Sequence, residues 1–201
     1  MIELQPGDII GMRSDNLIGH VINLGTFGSL ARGISHVGII APADDDRSRL
    51  LIYESTTLSG CDCYYHKKAV SGVQASRPRE RFAAYQGKIW VYRLTQPLTE
   101  TETHRLTKFL RHHVGTEYDY LGAFKARGSN WITRRILPSS GLELIFCSEY
   151  VAAALQCLER VDLAYGKGWN PNRLRSYVFD MNIARLVGRV KPIVPPPPGC
   201  F

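Results

Sequence analysis

The chain has 201 residues, of which 44% are hydrophobic and 21% charged, so it can bury the core of one ordinary domain without disulfides or a structural metal. Its formal net charge is +7, but the basic residues are dispersed and accompany no known nucleic-acid-binding motif, so we expect no nucleic-acid partner. The five cysteines are an odd number without regular spacing, which argues against a disulfide framework.

The two ends of the chain differ in character. Residues 1–8 hold no basic segment followed by an apolar run, so the sequence predicts synthesis in the cytoplasm without a secretory signal. No apolar stretch approaches the roughly 18 residues that cross a bilayer, so we expect no transmembrane segment. Pro195–Pro198 are four consecutive prolines, which favour an extended arm. We therefore predict one domain over residues 1–190 and a proline-rich C-terminal arm over residues 191–201.

Hydrophobic spacing predicts a mixture of strands and helices. Strands are predicted where apolar and β-branched residues alternate or run together, and helices where apolar residues recur every three or four positions. In chain order these are a strand Asp8–Gly11, a helix Asp15–Leu24, strands Ser35–Ala41, Leu50–Ser55 and Lys88–Leu94, and helices Thr99–Val114, Ser148–Leu158 and Pro171–Phe179. Thr99 and Glu102 predict a capping box. Residues 58–88 are the least regular part, and residues 118–135 predict a loop with a short helix.

The neighbouring strands Ser35–Ala41 and Leu50–Ser55 flank a polar turn and predict a β-hairpin. His36 starts the first strand and Glu54 lies near the end of the second, so antiparallel arms would bring both to the same side of the sheet. A carboxylate there can orient an imidazole and stabilise its cationic form. The alternatives are a structural histidine at a strand edge and an exposed glutamate at a strand end. Gly38 predicts open space beside the His36 ring.

Cys147 follows the apolar run Leu142–Phe146 and precedes the predicted helix Ser148–Leu158. At a helix start, backbone N–H groups and the helix dipole favour an anion, which would lower the pKa of a thiol and could hold an oxyanion. For an isolated cysteine, the more common interpretation is a small buried residue at a helix start.

Four short motifs in fixed order connect these residues to a known family. They are Pro6–Ile10, Ser35–Ile39, Tyr53–Ser55 and Phe146–Tyr150. In this order the chain resembles the circularly permuted branch of the NlpC-type papain-like cysteine hydrolases, the YiiX/YaeF-like group, in which the histidine strand precedes the cysteine helix.

The resemblance implies a fold, a site and a chemistry. The implied fold is α+β and papain-like, with a central antiparallel sheet packed against helices. The implied site has Cys147 as nucleophile, His36 as base and Glu54 as the polar third member. The implied chemistry needs no metal or organic cofactor.

Three functions agree with this site. The first is a peptidase or amidase that cleaves an amide bond of cell-wall peptide through a Cys acyl-enzyme. The second is a thioesterase or acyltransferase on lipid-like acyl groups. The third is a component of a larger assembly, such as a bacteriophage tail or baseplate incorporated into a virion, because the proline-rich arm could make assembly contacts.

Other clusters predict no site. Cys61-Asp62-Cys63 lacks a second ligand pair at zinc spacing, which favours a loop. The adjacent His112 and His113 would point to different faces of a helix, so a shared metal is not expected.

Overall fold

The structure, a computed structural model, describes residues 2–14, 33–56, 60–116, 139–161 and 171–190. Within these ranges it has an α+β fold of six strands and four helices. The strands are β1 (Ile9–Ser14), β2 (His36–Pro42), β3 (Leu50–Thr56), β4 (Gly72–Ser76), β5 (Gly87–Leu94) and β6 (Ala184–Val190). The helices are α1 (Pro78–Ala84), α2 (Glu100–His113), α3 (Ser139–Cys157) and α4 (Pro171–Asp180).

The strands form a single sheet in the order β4-β3-β2-β1-β5-β6. Every neighbouring pair is antiparallel. The hairpin of β2 and β3 is therefore central to one half of the sheet, with β4 beside it at an edge. This position places the ends of β2 and β3 within reach of helices on both faces.

Alternating side chains divide the core between the two faces of the sheet. One face, here called the helical face, packs against α2, α3 and α4. Its buried residues include Val37, Ile39, Tyr53, Leu106, Leu155 and Val178. The other face, the α1 face, packs against Phe82 of α1. Its buried residues include Ile10, Met12, Ile40, Ile52 and Val91.

Most predicted elements are confirmed within a few residues. The hairpin is present, with Gly38 opposite Glu54 and Ile40 opposite Ile52. The capping box at α2 is also present, because the Thr99 side chain accepts from the Glu102 N–H and the Glu102 side chain accepts from the Thr99 N–H. Both are local patterns, which a sequence records directly.

Three elements were not predicted from the sequence, namely β4, α1 and β6. Residues 58–88 contain both β4 and α1. These two elements are only 5 and 7 residues long, too short for a periodic pattern. Pro78 occupies the first turn of α1, where its missing N–H costs no hydrogen bond.

The predicted start of the cysteine helix was wrong. Helix α3 begins at Ser139 and continues through Cys147. The apolar run Leu142–Phe146 extends the helix, because periodicity cannot distinguish a short apolar strand from a segment of buried helix. The Cys147 N–H therefore lies within the helical hydrogen-bond pattern, and the argument from a helix N-terminus does not apply to its thiol or to an oxyanion.

Three predictions lie outside the described residues: the helix Asp15–Leu24, the loop of residues 118–135 and the arm of residues 191–201. In the part of the chain that the structure describes, no helix is both long and apolar enough to span a membrane.

Candidate active site

The β2–β3 hairpin brings His36 and Glu54 into direct contact. The His36 Nε2 lies 2.6 Å from the Glu54 Oε2. The Glu54 side chain is fully buried, while 14% of the His36 side chain is exposed. The prediction that the hairpin joins these two residues is confirmed, and Glu54 is not an exposed strand end.

Arg81 of α1 is a further residue of this cluster that the sequence analysis missed. Its Nε donates to the Glu54 Oε1 at 2.5 Å, and its Nη2 donates to the Oε2 at 3.2 Å. Both side chains are buried. The sequence shows Arg81 only as one arginine of the short basic run Arg77–Arg81, and nothing local distinguishes it from its exposed neighbours. Its partner lies 27 residues earlier in the chain.

The carboxylate of Glu54 is held in its charged form. Burial by itself would raise the pKa of Glu54, but the positive charge of Arg81 and the hydrogen bond and charge of His36 outweigh it and lower the pKa to about 2. A buried carboxylate stays ionised only when it is paired in this way.

Cys147 completes the cluster from the helical face, where it is fully buried. Its side chain hydrogen-bonds to His36. Because the His36 Nε2 contacts Glu54, the other ring nitrogen, Nδ1, is the one available to Cys147. The imidazole therefore lies between a thiol and a carboxylate.

The charge of the His36 imidazole follows from these contacts. Burial lowers its pKa, but the negative Cys147 sulfur, its hydrogen bond and the Glu54 carboxylate together raise the pKa to about 9. The interactions with these two partners thus more than compensate for the loss of water around the ring. At neutral pH this arrangement favours the imidazolium form of His36.

Tyr85 and Ser35 lie next to the cluster and were also missed. The Tyr85 ring packs against the Arg81 guanidinium, with 5.1 Å from Cζ to the ring centroid. Its hydroxyl hydrogen-bonds to the Ser35 side chain, and burial raises the pKa of this phenol. Tyr85 is only half-buried and so connects the cluster to solvent.

The expected open space beside the His36 ring is absent. A Cβ atom at Gly38 would lie 3.0 Å from the Ile52 Cγ1 and 3.1 Å from the Tyr53 carbonyl oxygen. Gly38 therefore permits close packing of β3 against β2 and does not create a cleft.

The weaker clusters have other contacts. The Cys61 thiol donates to the Ser76 hydroxyl at 3.3 Å, and Cys63 is buried in the loop before β4. The His113 Nδ1 lies 2.7 Å from the Phe109 carbonyl oxygen. Among the described residues, no three His, Cys, Asp or Glu side chains are arranged to hold a metal ion.

Comparison with known proteins supports the fold and not the chemistry. No protein-family model matches the chain, and no curated protein matches it. Among solved structures, it is similar to the metalloprotein YiiX from Escherichia coli O157:H7, with 19% sequence identity and a TM-score of 0.50. The match covers 96% of this chain and 100% of the YiiX chain. The chain thus has a YiiX-like α+β fold, in agreement with the group that its motifs resemble.

The description of YiiX as a metalloprotein prompts a test of the present site for a metal. His36 hydrogen-bonds to both Cys147 and Glu54, and both Glu54 oxygens accept from Arg81. In the described part of the chain, no three His, Cys, Asp or Glu side chains are placed to hold a metal ion. The residues of this cluster therefore do not fit a metal ion, and we derive no step through one.

Proposed function

We propose that this protein is a cysteine hydrolase of circularly permuted papain-like architecture, which cleaves an amide bond through a Cys147 acyl-enzyme. One observation carries the proposal: His36 hydrogen-bonds to Cys147 on one side and to the Glu54 carboxylate on the other. A nucleophile, a base and an orienting group in contact are what covalent acyl transfer requires.

Each residue has a defined part in the proposed reaction. The Cys147 thiolate attacks the carbonyl carbon, and a C–S bond forms. His36 gives its proton to the leaving amine as the C–N bond breaks. Neutral His36 then takes a proton from water, which attacks the thioester and releases a carboxylic acid and Cys147. Glu54 keeps the imidazole oriented and stabilises its cationic form.

The oxyanion needs a donor other than the Cys147 N–H, since that N–H lies inside α3. Cys147 is also fully buried, so a substrate carbonyl reaches the sulfur only when the atoms that cover it move. The burial of Cys147 therefore makes access to the thiol a measurable part of the mechanism.

The proposed substrate class is cell-wall peptide. The chemistry most common in the group that the motifs resemble supports it, and so does the net charge of +7, which favours an anionic polymer. The same three residues would also hydrolyse an acyl thioester, so the assay must offer both bonds.

The decisive experiment compares turnover of wild-type protein and variants on peptidoglycan peptides and on acyl thioesters, followed by mass spectrometry. We expect Cys147→Ala and His36→Ala to lose nearly all activity, and Glu54→Gln to lose roughly 100-fold or more. Cys157→Ala, at a half-buried cysteine of the same helix, is the matched control and should retain activity. Full turnover by Cys147→Ala would refute the proposed nucleophile, whereas a preference for thioesters would change only the substrate class.

A further inference from the structure

Four ionisable side chains form a continuous row at the open end of the β2–β3 hairpin, opposite its turn. They are Cys147, His36, Glu54 and Arg81, and they come from α3, β2, β3 and α1. Each contacts the next by a hydrogen bond. The contacts therefore connect a cationic guanidinium and an anionic carboxylate to the imidazole and thiol of the proposed catalytic pair.

Removing the guanidinium from this row would take away the cation that binds both oxygens of the buried Glu54 carboxylate. Buried charge without a partner is costly, and a proton is then taken up to remove it. Glu54, next to His36, is the nearest group that could take that proton. The Arg81 guanidinium prevents this because it stays charged at all physiological pH values.

The geometry of the Arg81 contact also fixes the orientation of the carboxylate. The Nε and Nη2 groups donate to the two different oxygens of Glu54, a paired arrangement that a lysine cannot reproduce. Among the described residues, His36 and Arg81 are the side chains that hydrogen-bond to this carboxylate. The amide of Gln74 lies directly across from Glu54 on β4 and is buried, yet it makes no hydrogen bond within the described part of the chain.

We propose that Arg81 is a positioning residue of the Cys147–His36 pair. It holds Glu54 as an oriented carboxylate, so that the proton of the His36–Glu54 hydrogen bond stays on His36. This inference rests on the proposed function for its purpose. Arg81 contacts neither the thiol nor a reacting atom and acts only through Glu54.

In the ranges that the structure describes, the other titratable groups near this row are Tyr85 and Cys61. Tyr85 packs on the guanidinium and its pKa is raised by burial, so it stays neutral in the relevant range. The Cys61 thiol donates to the Ser76 hydroxyl and is therefore uncharged in this contact. Neither can replace the positive charge of Arg81.

The test measures the rate of Cys147 alkylation by iodoacetamide as a function of pH, read by peptide mass spectrometry. In wild-type protein we expect the acidic limb of Cys147, which is paired with His36, to lie at lower pH than that of Cys157, because burial raises the pKa of Cys157. In Arg81→Met the pKa of Glu54 rises, His36 loses its anionic partner, and the acidic limb of the profile should move up by about one pH unit or more. Arg79→Met, at an exposed residue of the same helix, is the matched control and should leave the limb unchanged.

Two further variants make the result specific. Arg81→Lys keeps the charge without the paired geometry, so its limb should move by less than that of Arg81→Met but more than that of Arg79→Met. If Arg81→Met does not fold, Arg81→Lys takes its place, and the proposal is then overturned when the acidic limb of Cys147 alkylation lies at the same pH in Arg81→Lys as in Arg79→Met. In a Glu54→Gln background, Arg81→Lys should cause no additional shift, and an equal shift with and without Glu54 would also overturn it.

The outcomes separate the two proposals. A wild-type Cys147 limb at the same pH as that of Cys157, or at a higher pH, would count against the proposed function. A wild-type Cys147 limb at lower pH that stays unmoved in the Arg81 variants would reject only the role of Arg81.

Discussion

His36 is the residue at which the contacts of the candidate site converge. It connects a thiol from the helical face to a carboxylate that is bound to α1. Its pKa is raised to about 9 from the ordinary value of 6.5 because the negative charges of Cys147 and Glu54 outweigh burial. Folding therefore favours the protonated ring, and the contribution to stability depends on pH in a definite direction.

The first prediction concerns this pH dependence. A raised folded-state pKa gives stability that is fully present below about pH 6.5 and is lost as pH rises through about 9. The free energy of unfolding of wild type relative to His36→Asn should thus fall by on the order of 3 kcal/mol between pH 6 and pH 10. Urea unfolding at a series of pH values measures it, and a difference that stays constant over this range would contradict the assignment.

The second prediction compares a buried with an exposed ion pair. Glu54→Gln leaves Arg81 buried without a counter-charge, so we expect it to lower the free energy of unfolding by roughly 3 kcal/mol. The control is Glu80→Gln, which removes the partner of Arg77 in an exposed pair with N–O distance 3.0 Å and should cost less than about 0.5 kcal/mol. Equal effects in chemical denaturation would show that the Glu54–Arg81 pair is not buried in solution.

Elements with strong local signals were predicted well, and elements without them were missed. The hairpin has apolar arms around a polar turn, and α2 has a capping box and an apolar stripe. By contrast, β4 and α1 are short. Helix α1 is stabilised by the packing of Phe82 on the sheet and by the hydrogen bonds of Arg81 to Glu54. Helix α3 shows the same limit, since an apolar run that continues a helix looks the same in sequence as one that precedes it.

The third prediction tests the capping box of α2. Thr99→Ala removes the side chain that accepts from the Glu102 N–H, and we expect a loss of about 1 kcal/mol in stability. Thr101→Ala, at an exposed position of the same helix, is the control and should have little effect. Thermal unfolding of the two variants separates loss of the cap from a general effect of alanine.

At the scale of the whole molecule, the sheet separates two cores that meet at the candidate site. Cys147 belongs to the helical face, Arg81 of α1 binds Glu54, and His36 contacts both Cys147 and Glu54. The position of the thiol thus depends on how α3 packs across β2 and β3.

The fourth prediction concerns that packing. Leu155 of α3 is fully buried in the helical face, so Leu155→Ala should lower the free energy of unfolding by roughly 2–5 kcal/mol. Gln156→Ala, at the exposed neighbouring position, should change it by less than about 0.5 kcal/mol. If both variants unfold at the same urea concentration, α3 does not pack on the sheet as described.

The sequence by itself determined the features that depend on near neighbours. It predicted the α+β class, the β2–β3 hairpin with His36 beside Glu54, and the capped helix α2, because turn residues, apolar spacing and caps act within a few positions. The tertiary structure decided that Cys147 reaches His36 from the middle of a helix, that Ile52 fills the space beside Gly38, and that Arg81 binds Glu54. These contacts join segments far apart in the chain, and their energies come from burial and charge that no local pattern records.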